Sequence, residues 1–154
     1  MTTPTPKKVI LKGDPIYKEM ALEPLNASAE GFITPGMLCE RTSTGTIKPH
    51  ATATGVAYPP MFAVEDALYE GRDIDTDYDE DGEVVRYAVC RPGDEVYALL
   101  AAGQDTNGAN ALLASNGDGT LRVSSTNPVA RALEDVDNNP GTGGLAVRVK
   151  VEVI

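Results

Sequence analysis

The clearest periodic segment of the chain is Val147–Val153, where valine alternates with charged residues at every position. Successive side chains of a strand point to opposite faces, so this pattern predicts a β-strand with one buried face. A second strand is predicted at Glu95–Leu100, which follows the turn sequence Arg-Pro-Gly-Asp and precedes Ala-Ala-Gly. Both segments indicate short strands separated by turns.

An internal repeat runs through the chain. Gly36–Pro49 aligns with Asn110–Val123, and each copy has an apolar run, a polar turn with glycine and a second apolar run, as in a β-hairpin. Two further matches follow in the same order: Ala63–Ala67 with Ala132–Val136, and Val85–Val89 with Val147–Val151. Each half is therefore expected to contain a hairpin, a third strand, a loop and a fourth strand.

These patterns predict an all-β fold, a small β-barrel or tulip-like domain with an internal duplication. The chain of 154 residues contains 15 glycines and 11 prolines, which favours short elements and many turns. Strand is favoured over a short helix at Phe62–Leu68 and Val129–Val136, because both lie in a repeat otherwise made of strands. We expect an extended N-terminal arm and lead-in over residues 1–31 and one barrel domain over 32–154, with repeat halves at about 32–90 and 106–154.

The charge balance excludes several classes of partner. A net charge of −10 disfavours a nucleic-acid binder, which needs a basic face, and disfavours adhesion to an anionic membrane. No apolar run approaches the ~18 residues of a spanning helix. The N-terminal sequence MTTPTPKK lacks the apolar stretch of a signal peptide, so we expect a soluble protein with reduced cysteines.

The N-terminal segment differs in charge from the rest of the chain. Its first 18 residues contain four lysines and one aspartate, together with three prolines and one apolar run, Val9–Leu11. One interpretation is a flexible terminus. The other is an arm that orders on a partner, with Val9–Leu11 adding a strand to the partner's sheet and the lysines meeting acidic groups there.

An acidic run at Asp73–Glu83 is the largest difference between the halves. Asp77, Asp79 and Asp81 fit alternating ligand positions of a calcium loop, but the position that requires glutamate is Ala88, so an EF-hand is excluded. A weak, irregular calcium or magnesium site at these three aspartates stays open. The favoured interpretation is an acidic, mobile hairpin tip.

The parts of an active site are missing from the sequence. The single histidine, His50, has no nucleophile motif nearby, and Cys39 aligns with Leu113, as expected of a small buried apolar residue. Cys90 ends a predicted strand, just before Arg91-Pro92, where it could be exposed. The repeated Glu-Asp pairs at positions 65–66 and 134–135 are interpreted as strand ends on a barrel rim. We therefore expect a protein that is not an enzyme and has no cofactor.

Several turn and strand motifs together resemble the head decoration (capsid cement) proteins of tailed bacteriophages. The resemblance covers roughly residues 7–154 and rests on these segments: Ile33–Gly36, Arg91–Val96, Gly117–Leu121, Ala132–Asp135 and Val147–Ile154. The acidic run at Asp73–Glu83 has no place in the family pattern.

The resemblance implies a structural virion protein. Similar proteins form homotrimers on the outer capsid surface, reach over the major capsid protein with an N-terminal arm, stabilise the expanded shell and catalyse nothing. The resemblance therefore implies that the protein is on the outer capsid surface of the virion, and in the host cytoplasm while the virion assembles. The arm residues expected to contact the capsid are Lys7, Lys8, Val9, Ile10, Leu11 and Lys12. The alternative is a non-enzymatic binding module, for carbohydrate or calcium-dependent adhesion, displayed on a virion.

Overall fold

A computed structural model describes residues 5–24, 32–66, 73–139 and 144–154. Within these ranges the chain forms thirteen β-strands and no helix, which confirms the all-β prediction. The strands are β1 (Ile10–Lys12), β2 (Ile16–Ala21), β3 (Leu38–Arg41), β4 (Ile47–Pro49), β5 (Met61–Ala63), β6 (Val84–Val89), β7 (Glu95–Leu100), β8 (Gln104–Asp105), β9 (Leu112–Ser115), β10 (Leu121–Val123), β11 (Ala130–Ala132), β12 (Asp137–Asn138) and β13 (Val147–Val153).

The first half of the chain forms a five-stranded antiparallel sheet in the order β2-β6-β5-β3-β4. The two outer strands meet at their ends, where Leu22 forms a parallel bridge with Ile47. The Glu23 amide donates to the Ile47 carbonyl at 2.8 Å. This contact closes the sheet on itself, as in a small barrel.

The second half forms a closed ring of five strands, β7-β10-β9-β11-β13, in which β13 pairs back to β7. Strand β10 runs parallel to β7 at Leu121 and Leu100, and the other pairings of the ring are antiparallel. A sixth strand, β1, lies outside the ring on β7. The barrel predicted from the sequence is therefore present.

The two halves share one topology, which confirms the internal duplication. Strands β2, β6 and β5 correspond to β7, β13 and β11, and the β3–β4 hairpin corresponds to β9–β10. Equivalent hydrogen bonds close both sheets: Glu23 donates to Ile47 in the first, and Ala101 donates to Leu121 at 2.9 Å in the second. The repeat thus extends to the backbone hydrogen bonds.

The strand register corrects one of the sequence matches. Met61 pairs with Val89 in the first sheet, and Ala130 pairs with Val153 in the second. Val89 therefore corresponds to Val153, two residues beyond Val151, the counterpart expected from the sequence. A shift of two residues keeps every side chain on its predicted face, so the sequence pattern alone does not detect it.

The side chains form two apolar cores, of which one joins both halves of the chain. The interior of the first barrel holds Leu22, Ile33, Cys39, Ile47, Ala63, Tyr78, Val85 and Tyr87. The larger core contains the interior residues of the second barrel and also Leu38, Phe62 and Ala88 from strands of the first. Side chains alternate across a strand, so these three lie on the outer face of the first barrel. The two barrels therefore pack on each other.

The N-terminal segment is more closely integrated than the expected arm over residues 1–31. Val9 and Ile10 are buried in the larger core, and β2 is a full member of the first barrel. The physical reason is that β1 supplies hydrogen bonds to an edge of β7 while Val9 and Ile10 bury apolar surface there. The arm is thus extended, but it lies on its own chain.

Candidate functional site

The basic N-terminal segment is anchored at its centre and exposed at its lysines. Lys7, Lys8 and Lys12 are exposed, whereas Val9 and Ile10 are buried. The Val9 carbonyl accepts a hydrogen bond of 2.7 Å from the Tyr97 amide. The Val9 amide donates to the Glu65 carboxylate at 3.2 Å. These contacts fix the backbone from which the lysine side chains project.

This geometry divides the six residues expected to contact a capsid. The side chains of Lys7 and Lys8 are exposed to a partner, and so is that of Lys12, whose ammonium lies 4.0 Å from the Glu95 carboxylate of the same chain. Those of Val9 and Ile10 are occupied by the chain's own core, and Leu11 is half-buried. The strand that was expected to join a partner's sheet joins β7 of the same chain instead. Only the electrostatic part of the arm hypothesis therefore fits this structure.

The acidic segment at residues 73–83 is docked on the barrels, not a mobile tip. Ile74 and Tyr78 are buried, and the Tyr78 hydroxyl donates to the Val64 carbonyl at 2.6 Å. Tyr78 also forms an antiparallel bridge with Ile33. The interpretation as a mobile tip was wrong because two apolar side chains within the run supply buried anchors.

Arg148 fixes the beginning of this acidic segment to the second barrel. Its guanidinium donates to the carbonyls of Pro35 and Ile74, the latter at 2.8 Å, and lies 3.8 Å from the Asp75 carboxylate. It also lies over the Tyr97 ring, 5.8 Å from the centroid. Burial lowers the pKa of Arg148, and the Asp75 carboxylate opposes that shift. The alternation in Val147–Val153 predicts for this arginine only a place on the polar face of a strand.

The three aspartates considered for a metal site are not brought together. Within the described ranges, no three His, Cys, Asp or Glu side chains lie close enough to hold a metal ion. The Glu83 carboxylate accepts hydrogen bonds from the amides of Asp79 and Glu80, at 2.9 and 3.1 Å. The structure therefore gives no support to a calcium site at Asp77, Asp79 and Asp81.

His50 occupies a buried structural position between the two barrels. Its Nε2 lies 3.1 Å from the Val56 carbonyl and its Nδ1 lies 2.7 Å from the Ser115 hydroxyl. A carbonyl only accepts, so Nε2 carries the proton and Nδ1 accepts from Ser115. The Ser115 hydroxyl oxygen accepts in turn from the Gly117 amide at 3.1 Å. Both nitrogens of the ring are therefore used to hold loops.

Both cysteines are buried and are not paired with each other. Burial raises the pKa of Cys39 and of Cys90 to about 12, so the nucleophilic thiolate is suppressed in both. The expectation for Cys39 is confirmed. Cys90, for which the strand end left exposure open, is buried as well, because its side chain contributes to the larger core.

The repeated glutamates hold neighbouring strands. Glu65 accepts from the Val9 amide, and its counterpart Glu134 accepts from the Lys150 amide at 3.0 Å. Each follows a short strand of the repeat, so their interpretation as strand-end residues agrees with these contacts. Their carboxylates serve backbone donors in both halves.

An exposed apolar patch was not identified from the sequence. Val56 is 72% exposed and Tyr58 is 84% exposed, in a stretch without charged residues. The Asn127 side-chain amide donates to the Thr54 carbonyl at 2.9 Å and ties this loop to the second half. A shallow depression beside it is lined by Val56, Ala57, Tyr58, Pro60, Asn127, Pro128, Val129 and Ile154. Exposure of this kind follows from loop conformation, which the sequence pattern does not report.

Comparison with known proteins assigns no family to the chain. No protein-family model matches it, and no curated protein matches it. The described residues include no helix long and apolar enough to cross a membrane.

Proposed function

We propose that this chain is a structural virion protein that binds the outer surface of a phage capsid and stabilises the shell by bridging major capsid protein subunits. The proposal joins the resemblance of its turn and strand motifs to one structural observation. Three exposed lysines flank two buried anchors on a protein of net charge −10. This arrangement suits a directed contact with an acidic protein surface.

An anchored basic segment is better suited to binding than a free arm. The hydrogen bonds of Val9 to Tyr97 and Glu65 fix the backbone before any partner arrives. A segment that is ordered beforehand loses less conformational entropy on binding. The acidic body repels the same partner surface that the lysines attract, so the charge distribution selects one orientation of docking.

The body of the molecule suits a structural role and not a catalytic one. The side chains that could do chemistry serve the fold instead. Internal hydrogen bonds occupy His50, Glu65 and Glu134. Burial suppresses the thiolate form of Cys39 and Cys90. The duplicated barrels offer a compact unit that would bridge subunits as a homotrimer. In such an assembly the three basic segments act together, because the second and third contacts become intramolecular.

Co-sedimentation with purified heads of the phage that encodes the chain tests this proposal. Deleting the N-terminal segment is unsuitable, because it would remove Val9 and Ile10 from the core. Instead, Lys7→Gln, Lys8→Gln and Lys12→Gln are combined in one variant. The matched control combines Ser43→Glu, Ala109→Glu and Thr126→Glu at exposed positions, so both variants lose three units of charge.

The lysine variant is expected to bind heads ~10- to 100-fold more weakly, since three exposed charge contacts contribute roughly 0.5–1 kcal/mol each. The control is expected to bind like the unmodified chain. Equal binding by both variants contradicts the role of the basic segment. Absence of binding by the unmodified chain contradicts the capsid function itself.

A further inference from the structure

Among the described residues, the first part of strand β2 has a strand partner on one edge only. Successive amides at the end of this strand point to opposite sides. The Leu22 amide donates to the Glu83 carbonyl, toward β6, and the Glu23 amide donates to the Ile47 carbonyl on the other side. Odd-numbered residues of β2 therefore direct their amides away from β6. Within the part of the chain that the structure describes, no strand lies beside Tyr17 and Glu19 on that side.

The internal duplication shows what such an edge accepts. By the strand register, Tyr97 of β7 is the counterpart of Glu19 of β2. In the second half this position is covered, because the Tyr97 amide donates to the Val9 carbonyl of β1 at 2.7 Å. Among the described residues, one of the two equivalent edges is thus covered by an extended segment of the chain, and the other has no strand beside it.

The side chains along the two edges also differ in exposure: those of β7 are more buried than those of β2. Val96 of β7 is fully buried in the larger core, whereas its counterpart Lys18 is exposed. Tyr17 is 45% exposed, and the Arg86 guanidinium lies 4.5 Å from the centroid of its ring. Along this edge Lys18 and Arg86 are positive and Glu19 is negative, and the Glu65 and Asp94 carboxylates also act on Tyr17. Tyr17 therefore offers apolar surface, and the exposed Lys18 offers one positive charge to a side chain directly opposite it on an added strand.

We propose that the open edge of β2 binds an extended segment of a different polypeptide by adding it as a strand, with an acidic side chain opposite Lys18 and uncharged side chains beside Tyr17. Backbone hydrogen bonds at Tyr17 and Glu19 supply the binding, and Lys18 supplies the selectivity. This proposal does not depend on capsid binding, since it uses another surface of the molecule.

A second copy of the chain is a poorer occupant of this edge. Pairing two β2 strands about a two-fold axis at the centre of the strand places Lys18 opposite Lys18, or Glu19 opposite Glu19. Like charges directly opposite each other destabilise a strand pair. The net charge of −10 also opposes close approach of two copies. A polypeptide of different sequence avoids this pairing of like charges.

A synthetic peptide tests the proposal on the full chain. The probe is the capped octapeptide Ser-Val-Thr-Ile-Glu-Val-Thr-Ser, and amide hydrogen exchange at Tyr17 and Glu19 is followed by NMR. At a peptide concentration about ten times its dissociation constant, exchange of both amides is expected to slow about tenfold. The same peptide with alternate amides methylated, or with lysine in place of glutamate, is expected to give no slowing.

One protein variant checks the selectivity. Lys18→Glu is expected to favour the lysine peptide over the glutamate peptide, whereas Arg41→Glu, with the same change in charge at another exposed position, is expected to keep the original preference. The proposal is overturned if the methylated peptide protects equally or if no peptide slows exchange at these two amides. Slow exchange in the free protein that depends on its concentration would assign the edge to a second copy and also overturn it.

Discussion

Replacing Arg148 tests how the acidic segment is held on the barrels. Arg148→Met keeps an unbranched apolar stem and removes the guanidinium with its hydrogen bonds to Pro35 and Ile74. The Arg148 side chain is 16% exposed, so water replaces these bonds poorly. We expect the variant to lose stability and the segment around Ile74 to open more often than in the unmodified chain.

The size of the effect follows from the contacts. Hydrogen bonds from a charged donor contribute about 1.5–3 kcal/mol each, and Arg148 makes two strong ones and a weaker one of 3.4 Å to the Tyr97 carbonyl. The cost of burying the guanidinium, which also lowers its pKa, offsets part of this gain. We therefore expect the free energy of unfolding to fall by about 2–3 kcal/mol.

Equilibrium unfolding in urea measures this change, and amide hydrogen exchange locates it. The amide of Tyr78 donates to Ile33 and that of Thr76 donates to Asp73, so both report on the docked segment. Both are expected to exchange faster in the variant. The control is Arg131→Met, which removes a more exposed ion pair with Glu152 and is expected to cost less than about 1 kcal/mol.

The reasoning is refuted if Arg148→Met costs no more than the Arg131 control. It is also refuted if stability falls while exchange at Thr76 and Tyr78 is unchanged, because Arg148 would then act elsewhere. Arg148→Lys adds a further check. Its single ammonium cannot replace a planar guanidinium that serves carbonyls in different directions, so we expect only partial recovery.

Two other predictions concern close packing and the buried thiols. Gly36→Ala is expected to lower the free energy of unfolding by more than ~1 kcal/mol, because Gly36 has a φ of +100° and an added Cβ would lie 2.8 Å from the Tyr97 carbonyl oxygen. Gly45→Ala is the control in the same urea assay. It is expected to cost less, because Gly45 has a φ of +82° but open space around the added Cβ. Iodoacetamide at pH 8 is expected to label Cys39 and Cys90 only as fast as the protein unfolds, because burial raises the pKa of both to about 12, and rapid labelling of the native chain would contradict this. Unfolded thiols ionise near a pKa of about 8.5, so above that pH the unfolded state binds fewer protons than the native state and stability is expected to fall by up to about 1.4 kcal/mol per pH unit for each thiol.

The local elements of this protein can be predicted from neighbouring residues alone. Strict alternation in Val147–Val153 predicted a half-buried strand, and Gly-Asp-Gly at residues 117–119 predicted the turn between β9 and β10. The repeated order of these signals predicted the duplication. Such features depend on neighbours within a few residues, where backbone geometry and side-chain period leave few choices.

Other elements were invisible because their signal is not local. Residues 16–19 of β2 are all exposed, so the strand has no alternation of buried and polar positions, and its existence depends on pairing with β6. The composition of residues 1–18 suggested a segment too polar to bury itself. Val9 and Ile10 nevertheless found an apolar site on β7, which is distant in sequence.

The role of Arg148 was decided by tertiary structure alone. Its acceptors are the backbone carbonyls of Pro35 and Ile74, which lie 113 and 74 residues away along the chain. Backbone carbonyls are present at every residue, so no sequence pattern marks the ones that a side chain will meet. Only the packing of one barrel on the other brings them within reach of the guanidinium, and the docking of the acidic segment follows from that packing.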